Sequence, residues 1–359
     1  MMIEKIKKEI QIIAEVGVNH NGKLQKAKKL ILAAKKCGAN FVKFQNFEAD
    51  KLSSKKAKMA QYQIKNTKSK STQFEMLKKL ELSKKNYPLL KKFAKKNNIE
   101  FLSSPFDEKN YDYLTNHLKC KIVKIPSGEI NNYLMLRKIS LNKNQIIMST
   151  GMSSLTEIAD AINLICKKKI YSVKSNNVKI IKPNLLKYLK KKIFLLHCVT
   201  DYPVEDKFAN LNAIRTMSDK FQLIVGYSDH TKGIVAPVIA TTLGAKIIEK
   251  HLTLNVNDKG PDHKASLNPN EFKKMVQNIR TFEKMLGNGV KKIENCEKKN
   301  FFVARKSLVS KRSIKKGEKF NYENLTVKRP GSGIPASKIY EYIGKLSKFS
   351  YKTDELIKE

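Results

Sequence analysis

Short apolar runs recur along the chain, and each breaks off in a cluster of polar residues. Eight stand out: 12–20 (IIAEVGVNH), 41–47 (FVKFQNF), 101–106 (FLSSPF), 122–129 (IVKIPSGE), 145–151 (QIIMSTG), 193–200 (IFLLHCVT), 223–229 (LIVGYSD) and 245–254 (AKIIEKHLTL). Their length and their Ile, Val and Phe content read as β-strands. Between them lie stretches of helical period, among them 24–37, 155–168, 211–221 and 271–286. Strands alternating with helices pair in parallel, and eight of them predict an α/β fold, a closed (β/α)8 TIM barrel over residues 1–286. The pattern then changes. Residues 287–300 are polar and read as a linker, and 301–359 hold short strand-like runs and turn signals that predict a small β-rich second domain.

In a TIM barrel the active site forms at the C-terminal ends of the strands. Those ends carry Glu15, Asn19 and His20; Lys43 and Gln45; Ser103 and Ser104; Lys124, Ser127 and Glu129; Ser149 and Thr150; His197 and Thr200; Ser228, Asp229 and His230; and His251. Any one of these could simply cap the next helix; polar clusters at all eight ends argue for a site. Closing the barrel puts the eighth strand between the seventh and the first, so His230, His251 and Glu15 fall on one arc. Two neutral imidazoles from adjacent strands suit a borderline divalent cation such as Mn2+ or Zn2+, with water and substrate oxygens completing its shell. The same spacing also suits histidines that merely bond to the rim. Lys43 and Lys124 stand among Ser127-Gly128, Ser149-Thr150-Gly151 and Ser228, groups that suit a phosphate or carboxylate. With the carboxylates Glu15, Glu129 and Asp262, they point to carbon–carbon or phosphate-ester chemistry on an anionic substrate.

Composition adds one question. The 359 residues carry 72 Lys+Arg against 32 Asp+Glu, a net charge of +40. Such a charge could mark a polyanion-binding protein without catalysis, whose binding would fall steeply with salt and need no metal. However, the lysines are spread along the whole chain as Lys-Lys pairs, and only Arg137, Arg215, Arg280, Arg305, Arg312 and Arg329 are arginines. That distribution reads as lysine accumulating at neutral surface positions, and no nucleic-acid partner is expected. The five cysteines are scattered without metal or redox spacing, and no run is long enough to span a bilayer. A cytoplasmic location with no membrane partner is the expectation.

Several motifs are specific. They are Ala14-Glu15-Val16-Gly17-Val18-Asn19-His20-Asn21-Gly22, Val42-Lys43-Phe44-Gln45, Ser104-Pro105-Phe106, Lys124-Ile125-Pro126-Ser127-Gly128-Glu129, Ser149-Thr150-Gly151-Met152, His197-Cys198-Val199-Thr200-Asp201-Tyr202-Pro203, Ser228-Asp229-His230, Glu249-Lys250-His251 and Gly260-Pro261-Asp262. In this order, across nearly the whole chain, they resemble the sialic acid synthase family. The tail resembles that family's antifreeze-like (SAF) domain through Ile314-Lys315-Lys316-Gly317-Glu318 and Val327-Lys328-Arg329-Pro330-Gly331. The stretch Tyr62-Gln63-Ile64-Lys65-Asn66-Thr67 directs the likeness towards bacterial N-acetylneuraminate synthases.

The resemblance implies condensation of phosphoenolpyruvate with N-acetylmannosamine and water, giving N-acetylneuraminate and phosphate by C–O cleavage. It implies a divalent metal, Mn2+ ahead of Mg2+ or Co2+, on His230 and His251. Glu15, Lys43, Gln45 and Asp262 would do the chemistry. Lys43, Asn66, Lys124, Ser127, Ser149, Thr200 and Ser228 would hold phosphoenolpyruvate. Glu129, Tyr202, Asp262 and Arg329 would hold the sugar, with Arg329 reaching across a homodimer from the small domain of one copy to the barrel of the other. Related enzymes take 2,4-diacetamido hexoses to legionaminic or pseudaminic acid, and these stand as the alternative substrates.

Overall fold

The computed structural model describes residues 2–69 and 71–358. All eight apolar runs form parallel strands: β1 (Gln11–Gly17), β2 (Phe41–Asn46), β3 (Glu100–Pro105), β4 (Ile122–Ile125), β5 (Gln145–Ser149), then, after a hairpin of β6 (Tyr171–Lys174) and β7 (Asn177–Ile180), β8 (Ile193–His197), β9 (Ile224–Asp229) and β10 (Ile247–His251). The ladder runs β3-β2-β1-β10-β9-β8-β5-β4, and β3 packs beside β4 to close the ring. The fold is a TIM barrel. The β6–β7 hairpin is an addition that the eight-strand reading did not contain.

Because side chains alternate across a strand, each barrel strand presents one set of residues inward and one outward. The outward set, including Ile12, Val42, Val123, Ile146, Leu195, Val225 and Ile248, packs with the surrounding helices into the main core. The helices Leu24–Lys36, Leu155–Cys166, Ala213–Phe221 and Pro269–Met285 each bury one stripe against it. Two of them have strong start signals: Ser154 caps Leu155–Cys166 and Asn268 caps Pro269–Met285, each in a capping box with a glutamate three residues on.

Inside the barrel a separate apolar layer is built from Ile13, Phe41, Leu102, Ile122, Ile147, Phe194, Leu196 and Ile247. The helix Met2–Lys8 seals its lower end by burying Met2 completely and laying Ile3 and Ile6 against the layer. The upper end is left to polar residues.

The chain divides into two compact units, one ending at Leu286 and the other beginning at Gly287. In the second unit, residues 287–300 are exposed. Strands β11 (Ser307–Ser310) and β12 (Leu325–Lys328) pair antiparallel over a small core of Leu308, Ile314, Phe320, Leu325, Ile334, Tyr351 and Ile357.

Gly226 on β9 shows how tightly the inner layer is filled. A methyl group there would stand 2.3 Å from the Ile247 carbonyl oxygen and 2.7 Å from Leu196 Cδ2. Gly226→Ala should therefore destabilise the barrel by on the order of 3 kcal/mol, through overpacking against backbone that cannot retreat. A denaturant midpoint unchanged from the parent would contradict this packing.

Candidate active site

The site is the next storey of the same alternation. Two residues beyond Ile13, Phe41, Ile122, Ile147 and Ile247 along their strands come Glu15, Lys43, Lys124, Ser149 and Glu249. The inward face thus changes from apolar to polar in one step around the ring. The resulting cavity of about 330 Å³ is lined by Glu15, Lys43, Gln45, Lys124, Ser127, Glu129, Ser149, Thr200, Tyr202, Ser228, His230, Glu249 and His251, among others.

Four buried charges form its floor. Lys43 Nζ lies 3.1 Å from Glu15 Oε2 and 3.3 Å from Glu249 Oε1, and Lys124 Nζ lies 3.2 Å from the same Glu249 oxygen. Ser149 and Ser228 complete the network: Lys124 donates to Ser149 Oγ at 2.7 Å, and Ser228 donates to Glu249 Oε1 at 2.9 Å. Burial resists every charge here, so position decides each protonation state. Glu249 touches both ammonium groups, and they outweigh its burial and hold its pKa down to about 2. Burial also opposes Lys43, but Glu15 and Glu249 together raise its pKa. For Lys124, burial and the charge on Lys43 prevail over Glu249, and its pKa is lowered. Burial raises Glu15, and it raises Asp262 to about 7 with help from the charge on Glu15.

Two glycines let the polar groups close in. At Gly17 the strand is irregular and φ is +53°, which favours a residue without a side chain. A Cβ there would meet Glu15 Oε1 at 3.2 Å, Gln45 Nε2 at 3.3 Å and Asp262 Oδ2 at 3.4 Å, so these three groups converge on one point. At Gly151 a Cβ would lie 2.3 Å from Thr200 Oγ1 and 2.8 Å from both Cys198 Sγ and Ser127 Oγ. The Gly151 amide donates to Ser127 Oγ at 3.1 Å, while Thr200 Oγ1 is buried without a hydrogen-bond partner. A pair of hydroxyls held this close beside Lys124 is suited to the oxygens of an anion.

His230 and His251 face each other with ring centroids 5.6 Å apart, as the closed ring requires. Burial keeps both imidazoles neutral, lowering His230 to about 4 and His251 well below its ordinary value. His230 Nδ1 bonds the Val199 carbonyl at 2.7 Å, which fixes the ring. His251 Nδ1 is buried without a hydrogen-bond partner, with Asp262 Oδ2 at 4.0 Å. Two neutral imidazoles, one with an unsatisfied nitrogen, fit a divalent cation. Among the described residues no group of three or more His, Cys, Asp or Glu is arranged to hold a metal, so further ligands would have to be water or substrate.

Of the barrel residues that the resemblance gives a role, two do not line the cavity, and among the strand-end polar residues Asn19, His20, Ser103, Ser104, Thr150, His197 and Asp229 do not line it either. Asp262 stands just behind it, at Gly17 and His251. Asn66 gives its side-chain amide to the Pro261 carbonyl at 2.7 Å and lines an outer cleft with Tyr62, Lys65, Asp201 and Tyr202. It staples the helix Gln61–Thr67 to the loop after β10 and does not line the cavity that holds Lys124, Ser127 and Ser149. Arg329 belongs to the second unit, exposed, with Nε donating to the Ala304 carbonyl at 3.0 Å. Tyr202 lies against His230 (centroids 4.1 Å) and Tyr62 (4.9 Å). Glu129 accepts from Asn132 Nδ2 at 2.6 Å, and burial raises its pKa. The remaining strand-end histidines bond to the protein itself, His20 accepting from the Gly22 amide and His197 bonding the Ala209 carbonyl; His263, in the loop after β10, bonds Thr253 Oγ1. Glu249 is the residue that the motif reading passes over. Its signal is present in the sequence, because it shares a strand face with His251.

Gly151→Ala should push Thr200 and Ser127 off the anion position. Losing hydrogen bonds to a charged ligand costs about 1.5–3 kcal/mol, so if the cavity takes phosphoenolpyruvate, as the resemblance implies, that ligand should bind roughly tenfold more weakly or worse by calorimetry. Unaltered affinity would show that these hydroxyls do not meet the anion.

Residues 30–291 match the NeuB family, and residues 305–359 match the SAF domain. An N,N'-diacetyllegionaminic acid synthase from Campylobacter jejuni is 49% identical over 352 residues, covering 98% of this chain and 100% of its own. A second protein of that name, from Legionella pneumophila, is 44% identical over 93% of this chain and 89% of its own. The crystal structure of an N-acetylneuraminic acid (sialic acid) synthetase from Leptospira borgpetersenii, in complex with citrate, matches with a TM-score of 0.66 at 32% identity, covering 81% of this chain and 90% of that one. With its barrel, its C-terminal domain and relatives of this identity over nearly full length, the chain belongs to the NeuB family of sialic acid synthases.

Proposed function

We propose that this chain condenses phosphoenolpyruvate with a 2,4-diacetamido hexose and water, giving a diacetyllegionaminic acid and phosphate. The observation that carries the reaction is the polar storey of the barrel: two buried lysines among hydroxyls on one side, two neutral imidazoles and Glu15 on the other. The sugar is assigned on likeness. The motifs alone put N-acetylmannosamine first and the diacetamido hexoses second; the two relatives at 49% and 44% identity reverse that order.

In this reading Lys124, Ser127, Ser149, Thr200 and Ser228 hold the phosphate and carboxylate of phosphoenolpyruvate, and Lys43 bridges from them towards Glu15. A divalent cation on His230 and His251, Mn2+ ahead of Mg2+ or Co2+, would polarise the sugar aldehyde as a Lewis acid. Carbon 3 of phosphoenolpyruvate attacks the aldehyde carbon, and the new alkoxide takes up a proton. Positive charge develops at carbon 2. Water adds there and loses a proton, and the tetrahedral intermediate breaks its C–O bond, expelling phosphate with the bridging oxygen. Glu15 is placed for the proton transfers, between Lys43 at 3.1 Å and Gln45, which donates to its Oε1 at 3.1 Å. The lysines stabilise the departing phosphate in a site largely removed from water. Tyr202 and Glu129 border the sugar side, and Arg329 of a second copy would contact the sugar in a homodimer.

Phosphate release should require phosphoenolpyruvate, sugar and Mn2+ together, and should be faster with a 2,4-diacetamido hexose than with N-acetylmannosamine. Preference for N-acetylmannosamine would return the assignment to N-acetylneuraminate synthesis. Glu15→Gln should lower kcat by roughly 10²–10⁴-fold, on the scale of a lost acid–base group, while phosphoenolpyruvate still binds; an unchanged kcat would remove Glu15 from the chemistry. His251→Ala should lose metal-dependent turnover that excess Mn2+ restores poorly, and full activity in chelator would exclude the metal role.

A further inference from the structure

Immediately before each of the two histidines stands a charged residue that the reaction does not use, Asp229 on β9 and Lys250 on β10. They are register partners in the parallel ladder. Strand alternation turns Ser228, Glu249 and His251 to the cavity, and Asp229 and Lys250 to the helix-covered side, where both side chains are fully buried. Lys250 Nζ lies 2.5 Å from Asp229 Oδ2 and donates to the Thr231 carbonyl at 2.5 Å. Asp229 Oδ1 accepts from Tyr227 Oη at 3.0 Å and from the Thr231 amide at 2.8 Å.

The bonds therefore hold the chain on both sides of His230, through the Asp229 side chain and the Thr231 backbone, and tie that segment to β10 one residue before His251. His230 is also held from the cavity side: its Nδ1 bonds the Val199 carbonyl, and its own carbonyl accepts from the Val204 amide at 2.9 Å. A buried ion pair is a weak source of stability, and its best-attested use is to fix geometry. This one spans two strand ends whose next residues are the two imidazoles.

We propose that the Asp229–Lys250 ion pair is a positioning device that sets the separation and orientation of His230 and His251, and with it their affinity for a divalent cation. The proposal rests on the reading that these histidines bind the metal. Loss of an outer partner that orients metal ligands typically weakens affinity about 10–100-fold.

The test is calorimetric titration of the full chain with Mn2+ alone, supported by the Mn2+ electron paramagnetic resonance spectrum and by thermal unfolding. The parent should bind one Mn2+ and His251→Ala should not. The double variant Asp229→Asn/Lys250→Met removes both charges together, so no buried charge is left unpaired, and the amide oxygen that replaces the carboxylate can still accept from Tyr227 and Thr231. It should fold, bind Mn2+ roughly tenfold more weakly or worse and give a broadened spectrum. Parent-like affinity and spectrum in the folded double variant would overturn the positioning role while leaving the metal reading intact. Failure of the parent itself to bind Mn2+ would overturn both. Should the double variant not fold, Asp229→Asn alone decides: it removes the ion pair while keeping an oxygen for Tyr227 and Thr231, and a measurable loss of Mn2+ affinity supports the proposal whereas parent-like affinity overturns it.

Discussion

An ammonium group buried in a barrel must face a negative charge, and Glu249 supplies that charge to two lysines at once. Lys43 comes from β2 and Lys124 from β4, across the ring from β10, and neither could be buried alone at acceptable cost. With Glu15 as the second partner of Lys43, the four groups balance in sign, and each contact between them is within 3.3 Å. This network fixes where the barrel changes from packed core to chemistry. It also keeps two cationic groups desolvated and aimed at one small volume, where an anion gains more from them than it would in water.

The network depends in turn on register. The apolar layer closed below by Met2–Lys8 and the charged layer above it are separated by two residues on each contributing strand, so a slip of one residue on β10 would exchange Glu249 and His251 for Lys250 and send the charge to the wrong face. The paired outward groups Asp229 and Lys250 resist that slip. Function and folding thus rest on the same alternation. Gly151 and Gly226 mark where packing is too close to admit a methyl group, and Gly17 where the backbone turns to a φ of +53°.

Much of this is legible in the sequence because the barrel repeats one signal eight times. Each strand ends in a polar cluster, and closure alone makes His230, His251 and Glu15 neighbours. The centre of the network is harder to read: Glu249 looks like part of a motif, and only strand parity separates it from Lys250, which faces away. The motifs assign Asn66 to the anion, yet its amide is bonded to the Pro261 carbonyl, a long-range backbone contact that no spacing rule encodes. The β6–β7 hairpin does alternate, turning Tyr171 and Val173 on one strand and Val178 and Ile180 on the other towards the core, but runs of four residues are too short to stand out from the polar stretch around them. The charge of +40 separates into two populations: among the described residues only Lys43, Lys124, Lys192 and Lys250 are buried, and the rest face solvent in whole or part.

If the paired lysines receive a phosphate that leaves whole, the bond that breaks is the one between carbon 2 and the bridging oxygen. Phosphoenolpyruvate labelled with 18O in that oxygen tests this directly, with the inorganic phosphate followed by 31P nuclear magnetic resonance. The released phosphate should carry the label. Unlabelled phosphate, with the 18O retained in the sugar acid, would contradict the role given to the lysines.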